Sequence, residues 1–130
     1  MARTTYGGKA AIVTGGGSGI GRALGAGLVE RGATVVLADV DGDAASAAAA
    51  SLGDAARGCA LDVRDLAATL ALVDEVAGAN GGLDFFFANA GIALGGPTHE
   101  LTPEHWDRMI DVNLRGAVNS VLAAYPAMRE

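Results

Sequence analysis

Residues 14–21 read Thr14-Gly15-Gly16-Gly17-Ser18-Gly19-Ile20-Gly21, directly after the apolar run 9–13 and directly before the helix-like segment 22–31. That order of strand, glycine-rich turn and helix is what a phosphate-binding turn requires. Its glycines let backbone N–H groups approach a pyrophosphate without interference from Cβ. The helix that follows turns the positive end of its dipole toward the same anion.

Outward from this unit the same alternation repeats. Apolar runs of strand length exchange with longer segments of helical period, and Gly or Asp marks most of the switches. The pattern predicts strands over 9–14, 33–39, 57–61 and 83–88. Near-continuous apolar runs such as Thr34-Val35-Val36-Leu37-Ala38 suit strands covered on both faces, as in a parallel sheet, and not the alternation of a half-exposed hairpin. The expected fold class is therefore α/β, a doubly wound parallel sheet, with residues 1–130 forming a single domain without a linker.

The helices carry signals of their own. Asp41 is placed to cap the Ala-rich segment that runs to Leu52, and Asp65 to cap the next, on which Leu66, Leu70, Val73 and Ala77 make one apolar face. The last helix is expected to start with Thr102 as N-cap, Pro103 at its first position and Glu104 near the positive end of its dipole. It then runs nearly to Glu130, with Ile110, Leu114, Ala117, Val121 and Leu122 as a broad apolar stripe and Arg108, Asp111 and Arg115 turned to water or a partner.

Composition narrows the function. The 130 residues are 51% hydrophobic, enough for one real core. Net charge is −6 and the nine Lys and Arg are scattered, so no basic stripe is offered to a nucleic acid. The single cysteine, Cys59, excludes an internal disulfide or a cysteine-rich zinc site, and it reads as a buried inert thiol. No run reaches the ~18 apolar residues of a membrane span, and the first eight residues lack the apolar core of a signal peptide. A cytoplasmic protein without membrane or nucleic-acid partners is expected. His99 and His105 flank the segment around Glu100, but no further ligands accompany them, so no metal is expected. Trp106 reads as a packing residue at a helix start.

A glycine motif alone is weak evidence, because any strand-to-helix turn can collect glycines. Context strengthens it. Asp39 closes the second strand, and an acid at about that offset accepts hydrogen bonds from both hydroxyls of an adenosine ribose. It would repel a 2′-phosphate, since like charges about 4 Å apart cost on the order of 4 kcal/mol at an effective dielectric near 20. Ser18 and Val40 bring no compensating positive charge, although Arg22 is near in sequence, so NAD is favoured over NADP. The Walker A alternative fails, because Gly21 is followed by Arg22-Ala23 and not by Lys and a hydroxyl residue. A methyltransferase-like turn stays open on local geometry alone, and Asp39 could still be a solvated strand-end acid.

Further residues make the chain resemble the short-chain dehydrogenase/reductase family along essentially its whole length. The spacing TGxxxGIG is met at Thr14, Gly15, Gly19, Ile20 and Gly21. Asp62-Val63 looks like the family's adenine-contacting step, and Asn89-Ala90-Gly91 like the end of its NNAG motif, with Ala88 in place of the first Asn. The stretch Asp111-Val112-Asn113-Leu114-Arg115-Gly116 is similar to the one that carries the family's catalytic Asn. Singly, Asp62 could cap a turn, Asn89 and Gly91 serve a tight loop, and Asn113 be a polar helix residue; four motifs in the family's order argue against coincidence.

The resemblance implies a Rossmann-like fold, truncated here to about four strands and four helices, with the C-terminal half of the family fold absent. It implies NAD as cofactor, bound by Gly15, Ser18, Gly19, Ile20, Gly21, Asp39, Asp62, Val63, Asn89, Ala90 and Gly91, and a supporting catalytic role for Asn113. The implied reaction is hydride transfer between NAD and an alcohol or ketone. The family's Ser, Tyr and Lys are not matched: Tyr125 lies four residues before Arg129, which does not give up its charge, and Lys9 begins the first strand. The chain alone is therefore expected to be inactive. A non-catalytic nucleotide-binding or dimerisation module is the alternative. The exposed fourth strand, with Phe85, Phe86 and Phe87, leads to an expectation of self-association.

Overall fold

The apolar runs pair as the sequence predicts: in the computed structural model, which describes residues 5–129, they form one four-stranded sheet in the order β3-β2-β1-β4. The strands are β1 (Ala10–Thr14), β2 (Thr34–Asp39), β3 (Ala56–Ala60) and β4 (Phe85–Phe87). Every pairing is parallel, with Ile12 opposite Val36 on one side and Phe86 on the other. Each parallel return needs a crossover, and the helices α1 (Gly19–Glu30), α2 (Gly42–Ala50) and α3 (Leu66–Asn80) supply them.

Side chains alternate along each strand, so neighbouring residues enter opposite cores. Ala11, Val13, Val35 and Leu37 pack with Leu28, Ala48 and Ala49 toward α1 and α2. Ile12, Val36 and Ala38 pack with Leu72, Val73, Val76, Ala123 and Ala124 on the opposite face. This two-sided burial is the doubly wound arrangement, and it explains why the runs read as continuously apolar.

Both expected acidic caps are present. Asp41 accepts the amide of Ala44 at 3.0 Å and Asp65 that of Ala68 at 3.0 Å. Three sequence expectations need correction. On α3 the buried face is Thr69, Leu72, Val73 and Val76, while Leu70 is 39% exposed. The helix is apolar almost all round, so two stripes fit its period equally well, and contact with both the sheet and the last helix selects the other one. Thr69 can join the buried face because its hydroxyl donates to the Asp65 carbonyl at 2.8 Å.

The expected last helix is one continuous helical run in three parts: α4 (Pro103–Met109), a π-helical segment (Ile110–Arg115) and α5 (Gly116–Arg129). Its apolar stripe points outward, with Leu114 61% and Val121 62% exposed. The buried face is instead Gly116, Asn119, Ser120, Ala123 and Ala124. Small residues are what allow α5 to lie close: a Cβ on Gly116 would stand 2.5 Å from Cγ2 of Val63. Trp106 is 47% exposed, against the expectation of packing. His105 has a local task, its Nδ1 accepting the Thr102 amide at 3.1 Å at the start of α4.

Candidate functional site

The carboxyl ends of the strands open into a cleft of about 590 Å³ between the glycine turn, the end of β2, the loop after β3 and the loop after β4. Open α/β sheets bind ligands at such carboxyl ends, where the strand order reverses. Here the reversal lies between β1 and β4, since the chain steps outward through β2 and β3 before returning.

The turn is built for close approach. A Cβ on Gly21 would stand 2.1 Å from the carbonyl oxygen of Gly15, so the first turn of α1 can rest on the loop only with glycine there. Gly19 has φ +53°, and the space where its Cβ would point is open. Ser18 caps α1 without any side-chain bond to the helix.

Asp39 is oriented by two backbone amides. Oδ2 accepts from Gly17 N and Oδ1 from Asp41 N, each at 3.0 Å. Each oxygen retains acceptor capacity for one further donor, which is the set a ribose diol needs. Gly17 is small for the same reason: its Cβ would lie 2.9 Å from Oδ2 of Asp39.

The floor is tied together by a buried hydroxyl. Thr14 Oγ1 donates to the Phe87 carbonyl at 3.2 Å and accepts the amides of Asn89 and Ala90, both at 3.1 Å. Asn89 Nδ2 donates back to the Thr14 carbonyl at 3.0 Å. The predicted cofactor contact Asn89 thus lines the cleft while its amide nitrogen holds β1 to the β4 loop. Behind that loop, Asn113 clamps Ile92 from both ends of its amide: Oδ1 accepts Ile92 N at 2.7 Å and Nδ2 donates to Ile92 O at 2.8 Å.

On the far wall Asp62 is paired with Arg64, whose Nη2 lies 2.7 Å from Oδ2. The guanidinium holds the Asp62 carboxyl below its ordinary range, and the carboxylate in turn raises Arg64. Asn119, buried on α5, donates to the carbonyls of Val63 and Arg64 at 2.9 and 3.1 Å and pins this turn.

The cleft therefore brings together Gly15, Ser18, Gly19, Ile20, Asp39, Asp62, Val63, Asn89, Ala90 and Gly91, while Gly21 and Asn113 support it from behind. It also includes Val40, which the sequence placed as an uncharged neighbour of Asp39, and Arg64, Ile92 and Arg108, which sequence reasoning did not place there. Adjacency to the motifs was the only signal for Arg64 and Ile92. Arg22 is not part of the lining, Lys9 pairs with Asp84 at 2.8 Å at the opposite end of the sheet, and Tyr125 lines a separate apolar hollow beside Phe86. Among the described residues no group of His, Cys, Asp and Glu could hold a metal ion. Cys59 is half-buried, and desolvation raises its thiol pKa, opposed by Arg57.

These residues fit an adenine dinucleotide. The open space at Gly19, the Ser18 hydroxyl and the amide-held Asp39 all border the cleft. Residues 9–130 match the family model described as short chain dehydrogenase. A D-threitol dehydrogenase of Mycolicibacterium smegmatis is 40% identical over 84% of this chain and 43% of its own length. A 2-dehydro-3-deoxy-L-rhamnonate dehydrogenase (NAD(+)) of a Sphingomonas species is 39% identical over 96% of this chain and 50% of its own. Among solved structures, the short-chain dehydrogenase/reductase described as glucose/ribitol dehydrogenase from Brucella melitensis superposes with TM-score 0.91 at 30% identity. That match covers 97% of this chain and 54% of the other. The chain thus spans about half the length of these relatives.

Proposed function

The chain belongs to the short-chain dehydrogenase family, and from that premise we propose that it is the NAD-binding portion of an oxidoreductase that moves hydride between NAD and an alcohol or ketone. The observation that carries the reading is Asp39. Its carboxylate stands at the rim of the glycine turn, fixed by the Gly17 and Asp41 amides, where it would accept the ribose hydroxyls and repel a 2′-phosphate. The NAD(+) in the name of one relative, and the alcohol-bearing substrates in the names of two, support the same direction.

Each residue's part follows from its contacts. Amides of the glycine turn and the α1 dipole would hold the pyrophosphate, with the Ser18 hydroxyl as an added donor. Thr14, Asn89 and Asn113 would keep the β4 loop at a fixed height over the bound ring. Bound NAD would supply the hydride acceptor. Because both ends of the Asn113 amide are engaged with Ile92, its role in this reading is to position the loop. The half-buried free thiol of Cys59 suits a reducing, cytoplasmic setting, and no helix among the described residues is long and apolar enough to cross a membrane.

Calorimetric titration tests the reading. NAD should bind, NADP should bind at least about tenfold more weakly, and Asp39→Ser should erase most of that difference. Equal or tighter binding of NADP by the unaltered chain would contradict it. A second reading, a non-catalytic nucleotide-binding or dimerisation module, is favoured by one observation, the outward apolar stripe of α5. Light scattering at rising concentration distinguishes it: self-association through that stripe should be lost in Val121→Asp.

A further inference from the structure

Residues 92–102 form a strap between two parts of the cleft wall. Ile92 lines the cleft at one end, and Arg108 and Val112 line it on the helical run that begins just beyond the other. That one run pins both ends of the strap. At the inner end Asn113 Oδ1 accepts Ile92 N at 2.7 Å and its Nδ2 donates to Ile92 O at 2.8 Å. At the outer end His105 Nδ1 accepts the Thr102 amide at 3.1 Å, and the His105 amide donates back to the Thr102 carbonyl at 3.0 Å.

The two pins differ in one chemical respect. A carboxamide keeps its donor and its acceptor at every pH, whereas histidine changes charge between about pH 5 and 8. A capping box that opens on Thr ordinarily closes with Glu or Gln at the third helical position, acceptors that do not titrate in that range. This chain closes it with His105. To accept the Thr102 amide, Nδ1 must be bare, so the ring is neutral and carries its proton on Nε2. Protonation puts an N–H on Nδ1, donor then faces donor, and the amide loses its partner. The positive end of the α4 dipole also disfavours a charged ring there. The charged side chains around it are Glu104, Asp107 and Arg108 on α4 and Glu100 on the 3-10 turn Thr98–Glu100. Glu104 is held below the ordinary carboxylate range by its own backbone amide and by the Thr102 hydroxyl, so it stays ionised while the ring titrates. His99, 3.8 Å from Glu100, is the other imidazole on this segment.

We infer that His105 is a proton-sensitive latch on the strap: with the ring neutral both ends are fastened to the helical run, and with the ring protonated the Thr102 end is released while Ile92 stays held by Asn113. Between the pins the strap is tied to itself, Glu100 N donating to Pro97 O at 2.8 Å and Leu101 N to Thr98 O at 3.3 Å. Release at Thr102 therefore loosens the 3-10 turn and the start of α4 together and leaves the cleft-lining end in place.

Amide-resolved NMR of the chain between about pH 5 and 8 tests the latch. The Thr102 amide resonance should move in one step that coincides with titration of the His105 ring, and the Ile92 amide should hold its position over the same step. In His105→Gln, which restores an acceptor that does not titrate, the Thr102 step should vanish with the resonance near its alkaline position. In His105→Ala the resonance should sit near its acid position throughout. His99→Gln should leave the step in place. A Thr102 amide that stays still through the ring titration, a step that survives in His105→Gln, or one that disappears in His99→Gln would overturn the latch. Equal movement of the Ile92 amide would overturn its one-ended release.

Discussion

Residues 10–80 and residues 103–129 bury opposite kinds of side chain. In the first region the inward positions are Val, Leu, Ile and Ala with two hydrogen-bonded threonines, Thr14 and Thr69, and of its large apolar side chains only Ile20, Val40 and Leu70 are exposed. In the second, the inward positions of α5 are Gly116, Asn119, Ser120, Ala123 and Ala124, while Ile110, Leu114, Val118, Val121, Leu122, Tyr125 and Met128 face outward. An apolar stripe therefore marks the core side only where the sheet has room for large side chains. Where a helix must lie close over Val63, small residues and a hydrogen-bonding Asn define the inside, and the apolar stripe is left over for something else.

The sharpest way to break this comparison is to disturb the closed region at its tightest point. A Cβ on Gly58 of β3 would lie 2.4 Å from the backbone of Ala45 on α2, so Gly58→Val should destabilise the fold by about 3 kcal/mol. An unchanged urea midpoint would show that β3 does not rest on α2. Next comes the polar anchor of the second region. Asn119→Ala removes two donors from the Val63 and Arg64 carbonyls and should cost about 1–3 kcal/mol, read from the same denaturation curves. It should also weaken NAD binding, because the Asp62–Arg64 turn loses its support.

Substitution of the outward stripe sharpens the contrast from the other side. Leu114→Ser should change the stability of the monomer by no more than about 0.5 kcal/mol, whereas the same change at a buried leucine such as Leu37 should cost several times more. Equal effects at the two sites would erase the distinction drawn between the regions.

The smallest effect concerns acid. Lys9 and the Ala10 amide hold the Asp84 carboxyl below its ordinary value of 3.8. A depressed folded-state pKa contributes stability that is present above the unfolded value and lost as pH falls through the folded one. Asp84→Asn should therefore lower stability near neutrality by about 1 kcal/mol or less, as for other exposed pairs. The difference from the parent should vanish below that folded pKa, and thermal melts across pH 2–7 would show whether it does.

What the sequence disclosed and what it hid follow the same division. The glycine turn and the caps at Asp41 and Asp65 were legible because each depends on residues within a few positions of one another, and Asp39 because it closes an apolar run at a set offset from the glycine turn. The four strands were placed within about two residues, β1 and β2 because burial on both faces imprints a continuous apolar run. The buried face of α3 was not legible, since Leu66 and Leu72 begin equally good stripes on an almost wholly apolar helix. Nor was the direction of α5, which depends on Val63 some fifty residues earlier. The Thr14 hydroxyl, the Asn119 clamp and the Asn113 bonds to Ile92 share that origin: each joins segments distant in sequence, and none leaves a periodic trace. Asp62 shows the reverse case, a recognisable motif residue whose ion-pair partner, Arg64, stands only two residues away.

The dinucleotide is expected to occupy the cleft between the glycine turn, Asp39, Asp62 and the β4 loop. Amide-resolved NMR titration of the chain with NAD tests it most directly. Saturable shifts are expected at residues 15–21, 39–41, 62–64 and 89–92, with α5 beyond Asn119 unmoved. Shifts centred on the apolar hollow around Phe86, Tyr125 and Met128, or no saturable shift at all, would contradict it.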